Sequence, residues 1–71
     1  MDTTLMLRTA RINRGLSLPA AAAKAGMTVP QLSNAERGKA GLSVKTLYRL
    51  AGVVGLDELA KQLKPFAGDA A

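Results

Sequence analysis

The chain has 71 residues, with ten Lys and Arg against five Asp and Glu, a net charge of +5. So short a chain makes one domain near the lower size limit for independent folding and leaves no room for a second catalytic unit. It has no Cys and no His, which excludes disulfides, the usual zinc ligand sets and catalysis routed through imidazole or thiolate.

The pattern predicts five short helices and no strands. β-Branched and aromatic residues are sparse, while Ala, Leu and the basic residues favour helix. The first helix is expected over Thr4–Arg14, with Leu7, Ala10, Arg11 and Arg14 on one face and Gly15 as its stop. The second begins after the N-cap Ser17, carries Pro19 in its first turn, and runs through four consecutive alanines to Gly26. That alanine run reads as a device for close packing.

The third helix starts at Thr28. Thr28-x-x-Gln31 is a capping-box pattern. Leu32 and Ala35 are its apolar positions, and Gly38 stops it after about Arg37. The fourth is capped by Ser43, buries Val44, Leu47, Leu50, Ala51 and Val54, and ends at Gly55. The last is expected from Asp57 to Leu63, with acids at its positive end, Lys61 and Lys64 at its negative end, and Pro65 closing it. The domain is expected to span 1–66, followed by a frayed tail, 67–71.

Between Thr3 and Ala35 there is no acid, while Arg8, Arg11, Arg14 and Lys24 lie there. A basic excess on so small a domain predicts an anionic partner, nucleic acid or an anionic membrane surface. The longest apolar runs, Leu18–Ala23 and Leu50–Leu56, fall far short of the roughly 20 residues of a membrane span. The N-terminus lacks a secretory signal pattern. These features and the absence of Cys predict a cytoplasmic protein. No nucleophile–base pair, phosphate-cradling glycine loop or metal-ligand cluster appears, so neither enzyme activity, a cofactor nor a metal is expected.

Helices two and three are joined by Ala25-Gly26-Met27-Thr28. A small-residue helix, a tight glycine turn and a polar-faced helix suggest a helix-turn-helix, whose second helix enters the major groove. The two aromatics, Tyr48 and Phe66, are too few for a base-stacking platform, which argues against single-strand recognition.

Residues 8–18 (RTARINRGLSL), 21–39 (AAAKAGMTVPQLSNAERGK) and 42–56 (LSVKTLYRLAGVVGL) resemble the Cro/repressor-type, XRE-like helix-turn-helix domain. The most specific match is Ala35-Glu36-Arg37-Gly38-Lys39. The resemblance implies a lambda-repressor-like all-α bundle and a structural ion pair between Arg11 and Glu36. Glu36 is also the only acid between Asp2 and Asp57. By the same resemblance, Val29, Pro30, Gln31 and Asn34 would face the base edges; Arg37 is expected with them, reading a guanine or meeting a phosphate, the alternative being a solvent-exposed side chain. Leu18, Thr28, Gly38, Lys39 and Lys45 would hold the DNA backbone. Leu18, Val29 and Pro30 are apolar where the family often carries polar readers. Gln31 and Asn34 are thus the main hydrogen-bonding readers, unless Gln31 is spent on its own capping box. Arg8 and Arg14 read as a solvated basic face.

Leu59, Leu63 and Phe66 are either core or a dimer surface. The function expected is a homodimeric repressor on a two-fold-related DNA operator. The alternative is an antitoxin that binds a partner toxin and regulates its own synthesis.

Overall fold

Hydroxyl caps start three of the helices and left-handed glycines set their spacing. The computed structural model describes residues 3–39 and 41–67. Its helices are α1 (Thr3–Asn13), α2 (Leu18–Ala25), α3 (Val29–Glu36), α4 (Val44–Val54) and α5 (Asp57–Ala67), with no strand among the described residues. Ser17, Thr28 and Ser43 each accept a hydrogen bond from the backbone N–H three residues on, at 3.2 Å. Such caps are each worth about 1 kcal/mol. Gly26 closes α2 at φ +69° and its N–H reaches back to Ala22 and Ala23, so the chain reverses within the two residues before Thr28. A side chain at that φ would be strained, which is why glycine stands there.

The core is built from Leu7 of α1, Ala21, Ala22 and Ala25 of α2, Leu32 of α3, and Leu50 and Val54 of α4. Leu32 and Leu50 are fully buried. Three of the α2 alanines are at most 1% exposed, so α2 lies close against α4 with almost no intervening side chain. The alanine run is therefore a packing device. Leu16, Leu42, Leu47 and Leu56 close the core from its edges. Val44, expected in the α4 stripe, stands 40% exposed at the first turn, before α4 reaches its neighbours.

The last helix departs from expectation. It continues through Pro65 to Ala67 instead of stopping at Pro65. Pro65 costs the bond to the carbonyl of Lys61, but Lys61 is exposed, and the helix is within one turn of its end. Ala67 is buried at 9%, so its packing offsets that loss. Residues 68–71, the rest of the expected tail, lie outside the described residues.

Candidate nucleic-acid interface

The α2–turn–α3 unit presents one face of α3 outward. Leu32 and Ala35 turn into the core, and Glu36 turns toward α1. Val29, Pro30, Gln31 and Arg37 are exposed, and Asn34 is half-buried beside them. Arg11 holds α1 to the end of α3. Its Nε donates to Glu36 Oε2 at 2.7 Å and its Nη2 donates to Oε1 at 3.0 Å. A third donor, Nη1, reaches the Leu16 carbonyl at 2.9 Å. The two side chains are only 11% and 5% exposed, so this is a nearly dry, bidentate pair. Its charge is spent internally. Arg11 therefore shapes the site from within.

The capping box at the start of α3 is closed. Thr28 Oγ1 accepts from the Gln31 N–H at 3.2 Å, and Gln31 Oε1 accepts from the Thr28 N–H at 2.9 Å. Gln31 Oε1 is thus shared with the cap, and its amide NH2 is the part of the side chain not engaged by the capping box. Asn34 Oδ1 accepts from Arg37 Nη2 at 3.3 Å, an exposed and long contact that a base can displace.

Three residues expected to hold the DNA backbone are also engaged within the protein. Leu18 is half-buried and packs against the core, as an apolar side chain with no donor must. Gly38 provides a left-handed turn at φ +71°, and its N–H is already bonded to the Ala35 carbonyl at 3.2 Å. The Lys39 N–H likewise bonds to Asn34 O at 2.9 Å, leaving Lys39 its side-chain cation alone. Lys45 is exposed in the first turn of α4, where backbone N–H groups have no intrahelical acceptor.

Arg8, read from sequence as part of a solvated face, is exposed and also lines an open groove of about 380 Å3 with Arg11, Leu18, Ser33, Glu36 and Arg37. The signal for it was available. Arg8 lies one helical turn before Arg11, so a pair from Arg11 to α3 carries Arg8 toward α3 as well. On α5, Leu59 and Leu63 are half-buried and Phe66 is 76% exposed.

No helix among the described residues is long and apolar enough to cross a membrane. Comparison with curated proteins gives no significant match. A family model described as Helix-turn-helix matches residues 7–62, from the first core leucine of α1 into α5. With that match covering most of the chain, and with a small-residue helix, glycine turn and polar-faced helix in place, the chain belongs to the Cro/repressor-type helix-turn-helix family of DNA-binding transcriptional regulators.

Proposed function

We propose that the protein represses transcription as a homodimer, placing α3 of each protomer in successive major grooves of a two-fold-related operator. The observation that carries this reading is the outward face of α3. Asn34, Arg37, Pro30 and Val29 stand there with Lys39 following in sequence, Lys45 is exposed at the start of α4, and no acid is left unpaired on α3. Asn34 reads a base edge with the help of the Gln31 amide. Val29, 38% exposed, suits a thymine methyl. Thr28, through its hydroxyl, and the side chains of Lys39 and Lys45 meet phosphates. With so few polar readers, much of the selectivity comes from backbone contacts and DNA shape.

The dimer reading rests on α5, where Phe66 projects into solvent next to Leu59 and Leu63. Two protomers joined there would hold their α3 helices about 34 Å apart, one turn of DNA. The same apolar stripe would equally serve a toxin in the antitoxin reading. Selection from a random duplex pool tests the proposal. A two-fold-symmetric winner supports the dimeric repressor. A stoichiometric foreign subunit bound through α5, with no symmetric site, would replace it with the antitoxin reading.

A further inference from the structure

The groove between α1, α2 and α3 contains more positive charge than its surroundings balance. Arg8 and Arg37 line it, and both are exposed. Its one acid, Glu36, gives both carboxylate oxygens to Arg11. Among the described residues no carboxylate pairs with Arg8 or Arg37. Two guanidinium-bearing side chains therefore line one concavity whose only carboxylate is already paired with Arg11. The Ser33 hydroxyl lines the same concavity.

The position of the groove identifies its occupant. Ser33 and Arg37 sit one turn apart on α3 and flank Asn34, so the groove opens beside the outward face of that helix. The neighbouring N-terminus of α2 is a poor anion site. Pro19 has no N–H, the Ala20 N–H is taken by Ser17 Oγ, and the Ala21 N–H by the Ser17 carbonyl. Of the first turn only the Leu18 N–H remains to serve a phosphate.

We propose that Arg8 and Arg37 clamp one backbone phosphate of the duplex, on the α1 side of the major groove occupied by α3. The clamp takes over what the α2 N-terminus cannot supply. It rests on the DNA-binding reading of α3 and assigns Arg37 to the backbone, not to a guanine. Arginine suits the task because its planar fork matches the phosphate oxygens.

The test is a set of anisotropy titrations of the full chain between about 50 and 200 mM salt. The probes are a mixed-sequence duplex and a duplex selected from a random pool. Arg8→Ala and Arg37→Ala should each weaken both duplexes by a similar factor. One phosphate is at stake, so the double variant should lower the slope of log affinity against log salt by about 1, and each single change by less. Arg8→Lys should keep most of the slope, since the charge remains. Unchanged melting temperatures, expected for exposed side chains, exclude a folding defect. If the wild type shows a steep slope that Arg8→Ala leaves intact, the clamp is overturned while DNA binding stands. A wild type with no salt-dependent duplex binding overturns both. A third arm titrates inorganic phosphate alone. If it saturates an Arg8-dependent site while duplex affinity ignores Arg8, the groove serves a small free anion and the clamp is wrong.

Discussion

Arg11 and Glu36 lie 25 residues apart in sequence and meet in a bidentate pair at 2.7 and 3.0 Å. A third bond ties Arg11 to the carbonyl of Leu16, so one guanidinium joins α1, the turn before α2 and the end of α3. The Coulomb gain of such a pair is largely offset by desolvation, but losing one partner leaves the other charge nearly buried and alone. Glu36→Ala should therefore cost about 3 kcal/mol or more. For a domain of this size that is a fall in melting temperature of roughly 12 °C or more. Calorimetry checks it, and a melting temperature within a degree or two of wild type would show that the pair does not hold α1 to α3.

Gln31 has two duties that one substitution separates. Its side-chain oxygen closes the capping box on the Thr28 N–H, while its amide NH2 takes no part in that box. Glu at this position keeps the oxygen, so the cap survives, and an acid in the first helical turn favours the dipole. The same change removes the amide donors and puts a negative charge on the DNA face. Gln31→Glu should melt no lower than wild type and bind every duplex more weakly. Wild-type affinity in that variant would place Gln31 away from the DNA.

Helix order, caps and core were largely legible in the sequence, because they depend on local signals. Ser17, Thr28 and Ser43 cap where their hydroxyls predict, and Leu32 and Leu50 are buried where helical period places them. What escaped depends on contacts distant in sequence. Pro65 reads as a stop until the burial of Ala67 is known. Leu18 and Gly38, matched to DNA-contacting positions, also serve in packing and in a turn, roles the sequence alone did not show. That the exposed Arg8 borders a groove against α3 follows only once Arg11 is seen to carry that face of α1 to α3.

Asn34 is half-buried on α3 beside the exposed Val29, Pro30 and Gln31, and its amide carries both a donor and an acceptor. Its oxygen is held only by the long 3.3 Å contact from Arg37. A bidentate contact to adenine is worth about 1–3 kcal/mol of discrimination. Asn34→Ala should therefore lose roughly five- to 150-fold on a selected duplex and little on mixed sequence. Paired titrations at one salt concentration decide it, and equal losses on both duplexes would remove Asn34 as a reader.

Lys39 keeps a cation at the end of α3 but no unbonded backbone donor, since its N–H is held by the Asn34 carbonyl at 2.9 Å. Its contribution is then a point charge on a phosphate, indifferent to sequence. Lys39→Ala should lower affinity for all duplexes alike and reduce the salt slope by about 1. A slope equal to wild type would clear Lys39 of phosphate contact.

Phe66 is the largest apolar side chain left in solvent, 76% exposed, and a monomer gains little from it there. If α5 joins two protomers, Phe66→Ser should convert the dimer to a monomer in sedimentation without lowering the melting temperature of the monomer itself. The DNA consequence is steeper than the loss of one contact. Two linked α3 helices bind a two-fold site with the second association effectively intramolecular, which raises avidity by about 10²–10⁴. The variant should therefore lose that factor on the full site while matching wild type on an isolated half-site. A variant that remains dimeric would move the interface off the Leu59–Leu63–Phe66 stripe, and the two-fold spacing of the α3 helices would have to be rebuilt from another surface.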